Sequence, residues 1–287
     1  MTDLSALPKH LELKSLAVLG ISLLSLILFA FLFRHGPLDE NARVALVQLI
    51  VGLMMVGLSV SWLRLPLFDR PAHLVPAMSA AGVIIALNCL DLGRFPGWSW
   101  WRLGDALLLG LAAGVMEEIL CRGPLLFILA KHAPSAVSSS WFAAVVSAVI
   151  FGLLHLLNAG GSQSLWQTVL QVLYTMAFGL AMAALYLITH NLLVPILAHT
   201  IFDTIAYYFD LNGTSSMGGS WWGWLSFAAL TGGCLVIGLA LMGTLPHSAL
   251  ISRAIGAPTT QIVAGPNATD APNEASEAPL HAKKRNL

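Results

Sequence analysis

Long apolar runs separated by short polar breaks make up most of the chain. Eight runs reach the length of about 18 or more residues that is typical of membrane-spanning helices. They cover residues 16–33, 44–63, 74–92, 105–130, 139–157, 166–189, 191–210 and 222–245, and charged residues interrupt the fourth. The pattern predicts an all-α, polytopic transmembrane helix bundle of about eight spans.

Composition narrows the class of protein further. Of the 287 residues, 57% are hydrophobic and 10% are charged, whereas typical soluble domains carry about 25% charged residues. The 14 Lys and Arg residues balance the 14 Asp and Glu residues, and no basic, aromatic-interleaved patch indicates nucleic acid. The expected partner at this stage is the lipid bilayer, and the sequence is silent on oligomeric state.

Lysine and arginine positions predict the orientation, because cytoplasmic loops of membrane proteins carry an excess of both. With a cytoplasmic N-terminus, nine of these residues fall inside and four fall outside. The inside set is Lys9, Lys14, Arg64, Arg70, Lys131, Arg253, Lys283, Lys284 and Arg285, and the outside set is Arg34, Arg43, Arg94 and Arg102. We therefore expect a multi-pass protein of the plasma (inner) membrane with both termini in the cytoplasm.

Charged and histidine side chains inside the later apolar runs are the strongest chemical signal. A charge at mid-bilayer costs at least about 2.5–3.5 kcal/mol on insertion scales. Six such residues are confined to three runs: Glu117, Glu118, Arg122, His155, His199 and Asp203. Any one of them alone is more simply explained as a paired or hydrogen-bonded structural residue, but their concentration indicates a functional site.

The first cluster reads GVMEEILCRGP. Glu118 and Arg122 are four residues apart, so they share a helix face and can pair. Glu117 lies about 100° around the helix from Glu118, and the residue four positions after it is Cys121. Glu117 must therefore find a partner across the bundle or take up a proton. This asymmetry predicts that Glu118 is structural and that Glu117 is available for chemistry.

Small and helix-breaking residues surround this cluster. Pro124 follows Gly123 directly after the charged residues, and a proline inside a helix removes a backbone donor and produces a kink. Gly110 and Gly114 have the GxxxG spacing that allows another helix to approach closely. We therefore expect a kink beside the carboxylates and a close helix contact before them.

The motifs EExxxR at Glu117–Arg122, FxxxH at Phe151–His155 and HxxxD at His199–Asp203 occur in this order on successive hydrophobic segments. This ordered set resembles the CPBP family of intramembrane proteases, which includes CAAX prenyl endopeptidases and the bacteriocin-processing and immunity (Abi) proteins. The resemblance covers roughly residues 105–210. Members commonly have Asn where this chain has Asp203, and an Asp cannot donate a hydrogen bond unless it is protonated.

The resemblance implies an all-helical intramembrane core in which a glutamate activates water to hydrolyse a peptide bond. It implies four catalytic residues and two supporting residues, namely Glu117, His155, His199 and Asp203, with Glu118 and Arg122 in support. In these roles the glutamate acts as base and then acid, and the first histidine helps to hold the water. The second histidine and the aspartate polarise the carbonyl oxygen or stabilise it as the intermediate forms.

Four segments follow from this organisation. Residues 1–104 carry the three N-terminal spans, 105–210 form the CPBP-like protease core, 211–245 hold the final span and 246–287 form a cytoplasmic tail. The tail is rich in Pro, Ala, Asn, Thr and Glu and lacks periodicity, which predicts disorder.

The residues do not determine whether the protein uses a metal cofactor. Two histidines and a carboxylate are enough ligands for a catalytic zinc with an open position for water, while a metal-free, glutamate-based mechanism uses the same side chains. The expectation leans slightly to the metal-free mechanism. The absence of HExxH, GxGD and GxSxG from the sequence argues against site-2-type zinc, presenilin-type aspartyl and serine intramembrane proteases.

The preferred hypothesis is an intramembrane endopeptidase whose peptide or protein substrate is reached from the cytoplasmic side or from the membrane. A non-catalytic scaffold or bacteriocin-immunity-type protein would keep the same polar cluster as a structural network. The two hypotheses differ in their prediction for Glu117→Gln, which the scaffold tolerates and the enzyme does not. A proton pathway is a third hypothesis, but the polar residues cluster instead of crossing all depths.

Overall fold

The computed structural model describes residues 9–35, 38–91, 97–134, 137–159, 163–209 and 220–245. The tail predicted at 246–287 lies outside these residues, as does Arg94. Within the described residues the chain forms α-helices and short turns, with two isolated β-bridges and no strand.

Nine α-helices follow one another in the described part of the chain. They are α1 Lys9–Phe33, α2 Glu40–Ser61, α3 Leu74–Asn88, α4 Trp100–Arg122, α5 Pro124–Lys131, α6 Ser139–Leu154, α7 Leu165–Thr189, α8 Leu193–Tyr208 and α9 Trp221–Met242. Short 3₁₀ turns follow α3 at Cys89–Asp91 and α6 at His155–Asn158. The predicted all-α membrane bundle is confirmed, with α4 and α5 together replacing the fourth apolar run.

Five helical segments have the length and apolar composition needed to cross a membrane, namely α1, α2, α6 together with the 3₁₀ turn that follows it, α7 and α9. Helices α3 and α8 are also apolar but have 15 and 16 residues. Helix α4 has 23 residues, which is long enough to cross a membrane. It also carries the charged cluster, which is typical of a functional site.

The break between α4 and α5 corrects the expected kink. Helix α4 ends at Arg122, Gly123 adopts φ −87° and ψ −124°, and α5 begins at Pro124. A proline lacks only a backbone donor that the first helical position does not use. The proline therefore starts a new helix instead of bending a continuous one.

Helices α4 and α8 pack backbone against backbone through Gly110 and Gly114. A Cβ atom added at Gly110 would lie 2.8 Å from the carbonyl oxygen of Thr200, and one at Gly114 would lie 3.0 Å from that of Ile196. Residue numbers therefore increase along α4 in the direction in which they decrease along α8, so the two helices are antiparallel. The close contact predicted from the GxxxG spacing is present.

The two ends of the bundle differ in chemistry. At one end, which we call the ion-paired end, Lys131 at the end of α5 pairs with Glu12 near the start of α1, and His132 Nε2 lies 3.3 Å from Glu12 Oε1. The other end, called the Trp-rich end, holds seven exposed tryptophans of the nine in the sequence: Trp98, Trp100, Trp101, Trp166, Trp221, Trp222 and Trp224.

Contacts among these tryptophans define the Trp-rich end as one surface. The rings of Trp166 at the start of α7 and Trp224 at the start of α9 lie 6.3 Å apart. The indole nitrogen of Trp222 donates to the carbonyl of Leu90 after α3 at 3.0 Å. Tryptophan is typical of the membrane–water interface, so this end marks one boundary of the membrane.

Candidate active site

A buried network joins the end of α4 to α6 and α7. Arg122 Nη1 donates to Glu118 Oε1 at 3.1 Å, and Arg122 Nη2 donates to the carbonyl of Gly179 on α7 at 2.7 Å. The guanidinium carbon also lies 5.0 Å from the centre of the Phe151 ring on α6. Both charged side chains are fully buried, so the pair predicted from their spacing is present in a setting where it fixes three helices together.

His199 on α8 is held by the same buried carboxylate. Its Nδ1 donates to Glu118 Oε1 at 2.8 Å, which leaves Nε2 3.5 Å from Asp203 Oδ2 and 3.8 Å from Glu117 Oε2. Glu118 is therefore the nearer partner that orients the ring. The i,i+4 spacing places Asp203 on the same helix face as His199, whereas the contact with Glu118 on α4 was not visible in the sequence.

Three phenylalanines surround the His199 ring. Phe178 on α7 and Phe151 on α6 meet it edge to face at centroid distances of 5.0 and 6.0 Å. Phe202, the neighbour of Asp203, packs on Phe178 at 4.7 Å. Because these rings fill the space around the imidazole, its orientation is fixed by packing as well as by its hydrogen bond.

His155 lies in the 3₁₀ turn after α6 and faces the same region. Its Nδ1 donates to the carbonyl of Phe151 at 3.0 Å, and its ring contacts the Phe151 ring at 5.0 Å. This hydrogen bond leaves Nε2 as the nitrogen that is available to a water molecule or a substrate.

Glu117 and Glu118 are neighbours in the chain with opposite surroundings. The Glu118 side chain is fully buried, while 29% of the Glu117 side chain is exposed. Because Glu117 lines a cavity, a water molecule can reach its carboxylate. The structure thus separates a structural carboxylate from an accessible one, as their different helix faces predicted.

The cavity has a volume of about 780 Å³ and lies inside the bundle. Residues from every helix except α5 line it, and they include Glu117, His155, His199 and Asp203. It extends along α7 past Gln171 to Gln167 and Gln163 at the Trp-rich end. Protein cavities that hold ligands typically measure about 300–1,000 Å³, so this one has room for a short length of peptide.

Several uncharged polar residues of the cavity were missed by the sequence analysis. They are Ser22, Gln48, Asn88, Gln163, Gln167, Gln171, Tyr174 and Tyr207. Asn88 on α3 donates through Nδ2 to the carbonyl of Phe202 at 3.0 Å, which secures α8 beside Asp203. Their amides and phenols inside apolar runs were the available signal, which is weaker than that of the charged residues and histidines.

The described side chains were also compared with what a metal ion requires. Within that part of the chain, no group of three or more His, Cys, Asp or Glu residues is placed to hold one ion. Both histidines also use Nδ1 in protein hydrogen bonds. The metal-free mechanism stays a prediction.

Comparison with known proteins gives one family match. Residues 98–205 match the model of the family described as type II CAAX prenyl endopeptidase Rce1-like. The match runs from just before α4 into α8 and includes all three motifs. No curated protein and no solved structure matches the chain. The resemblance to the CPBP and CAAX protease family is confirmed over this segment, and with the apolar helices it supports an integral membrane protein of peptidase type.

Proposed function

We propose that this chain is an intramembrane endopeptidase that hydrolyses a peptide bond of a membrane-associated peptide or protein. The observation that carries the proposal is the pair Glu117 and Glu118, in which one carboxylate is buried and paired while the other lines a cavity beside two histidines. The family match over the same helices supports a peptidase. A structural network alone does not require an accessible carboxylate inside the membrane.

Glu117 begins the reaction as a general base. A water molecule held between the Glu117 carboxylate and His155 Nε2 gives a proton to Glu117, and its oxygen bonds to the peptide carbonyl carbon. The carbonyl π electrons move onto the oxygen and form a tetrahedral oxyanion. A base positioned in this way contributes about 10²–10⁴-fold to a rate.

The same glutamate completes the cleavage as a general acid. The oxyanion electrons reform the carbonyl, the carbon–nitrogen bond breaks, and the proton on Glu117 passes to the leaving nitrogen. The products are one new carboxyl terminus and one new amino terminus, and Glu117 returns to its ionised form. We assign His199, which Glu118 orients through Nδ1, a position beside the reacting carbonyl.

Exchanging Glu117 for glutamine tests the proposal. Cells lacking the protein are complemented with wild type, Glu117→Gln or Asp105→Asn at equal membrane levels, and their protein termini are compared by mass spectrometry. Asp105 is an exposed carboxylate on the same helix, so its amide variant is a matched control. We expect wild type and Asp105→Asn to produce a set of termini that Glu117→Gln does not produce.

Identical termini in all three strains would overturn the endopeptidase. If the Glu117→Gln strain also kept the wild-type phenotype, the scaffold or immunity-type hypothesis would take its place. A glutamine keeps the size and hydrogen-bonding capacity of the side chain but cannot take the proton from water.

A further inference from the structure

The family motifs leave the developing oxyanion short of hydrogen-bond donors in this chain. An ionised aspartate at position 203 accepts hydrogen bonds and cannot donate them. The Nδ1 protons of His199 and His155 are already donated to Glu118 and to the carbonyl of Phe151. His199 Nε2 lies 3.5 Å from Asp203 Oδ2. Preorganised donors at this oxygen are usually the largest single contribution to such a reaction, so other donors are needed.

Two tyrosines line the same cavity from different helices. Tyr207 follows Asp203 by four residues on α8, so both side chains lie on one face of that helix. Tyr174 precedes Phe178 by one turn on α7, and Phe178 packs on His199 at 5.0 Å. Each phenol carries one O–H donor.

Both phenols share the cavity with the accessible carboxylates. Glu117, Asp203, Tyr174 and Tyr207 all line its wall. These four groups therefore border one volume, and Glu117 can direct water only to a peptide carbonyl that lies within it.

The remaining two of the four tyrosines show what a structural phenol does in this protein. The hydroxyl of Tyr186 donates to the carbonyl of Pro66 at 3.3 Å, and that of Tyr208 donates to the carbonyl of Gly97 at 2.8 Å. Neither residue lines the cavity. The tyrosines thus divide into two that join chain segments and two that face the cavity, where the Tyr174 phenol also has a hydrogen bond with Gln171 of the same helix.

We propose that Tyr174 and Tyr207 donate hydrogen bonds to the carbonyl oxygen of the scissile peptide and thereby supply the donors that Asp203 lacks. The inference rests on the proposed function. No bond to either phenol forms or breaks, and both keep their protons while they stabilise the negative charge of the tetrahedral oxyanion.

The test uses the full-length protein in liposomes and a synthetic peptide that spans a bond cut in the Glu117-dependent manner described above. Tyr174→Phe, Tyr207→Phe and the double variant keep the ring and remove only the hydroxyl. Since loss of one oxyanion donor typically lowers kcat by about 10²–10³-fold, we expect the double variant to lose at least about 100-fold in kcat with little change in KM. Tyr186→Phe, which removes a phenol outside the cavity, should keep wild-type kcat.

Asp203→Asn separates a donor role from a structural one. An asparagine amide can donate to the oxyanion, so the two Phe substitutions should lower kcat by a much smaller factor in an Asp203→Asn background than in the wild-type background. If the phenols have a purely structural role, the Phe substitutions will lower kcat by the same factor whether residue 203 is Asp or Asn. Equal losses, an inactive Asp203→Asn protein, or a double Phe variant with wild-type kcat would each overturn the inference. A wild-type protein without Glu117-dependent cleavage would overturn the proposed function itself.

Discussion

At the scale of single residues, burial gives chemically identical groups different tasks. Glu118 is enclosed by Arg122 and His199, whereas Glu117 opens to the cavity. A buried ion pair is weak evidence for stability by itself, because desolvation offsets much of the attraction. Removing one member is different, since the other charge is then left without its partner.

Arg122→Met is the substitution that exposes this difference. We expect it to lower the free energy of unfolding by about 3–5 kcal/mol, because it leaves the Glu118 carboxylate buried without its cation. The double variant Glu118→Leu/Arg122→Met removes both charges and should recover most of that loss. Unfolding of the purified protein in detergent by added SDS measures both. A fully stable Arg122→Met protein would show that the pair is dispensable for the fold.

At the scale of helices, the contact between α4 and α8 sets the position of the site. Glu117 and Glu118 lie on α4, His199 and Asp203 lie on α8, and glycines let the two backbones touch one turn away. Any side chain placed between these helices must move the histidine relative to the glutamates.

Gly114→Ala tests this dependence. The added Cβ would lie 3.0 Å from the carbonyl oxygen of Ile196 and 3.1 Å from the backbone nitrogen of Thr200, so α8 must shift. We expect a loss of about 1–3 kcal/mol in stability, as is typical of overpacking, together with a loss of cleavage. Gly104→Ala on the same helix meets nothing within 4 Å and should keep both. Equal behaviour of the two variants would contradict the proposed importance of the contact.

At the scale of the whole molecule, the cavity and the N-terminus of α1 point to opposite ends. The cavity extends to Gln163 and Gln167 near the Trp-rich end, while Glu12 and Lys131 mark the ion-paired end. A cytoplasmic N-terminus would therefore put the Trp-rich end of the cavity on the outer side of the membrane. The lysine and arginine distribution predicts this orientation.

Cysteine labelling in intact cells decides the orientation. Cys89, Cys121 and Cys234 are free and are first replaced by alanine. Ala159→Cys then reports on the Trp-rich end and Val137→Cys on the ion-paired end, since both positions are exposed. We expect an impermeant maleimide to label Ala159→Cys in intact cells and Val137→Cys only after permeabilisation. The reverse pattern would put the cavity in contact with the cytoplasm and both termini outside.

The parts of the site that the sequence revealed are those for which burial is most costly. Charged residues in apolar runs stand out because a membrane span tolerates few of them, so Glu117, Arg122 and Asp203 were found. Asn88 and Tyr174 were missed because amides and phenols occur inside apolar segments at a smaller cost. The bond between Glu118 and His199 joins residues 81 positions apart, and helix spacing predicts only local pairs.

The cavity walls extend well beyond the matched segment. Leu19 on α1, Gln48 on α2, Asn88 on α3 and Leu230 on α9 all line the chamber, yet the family match spans only residues 98–205. The proposed catalytic residues and much of the cavity wall are thus encoded in different stretches of the gene. Mutations in the outer stretches can change which peptide is admitted while the hydrolytic machinery stays the same, so selectivity and chemistry are free to evolve at different rates.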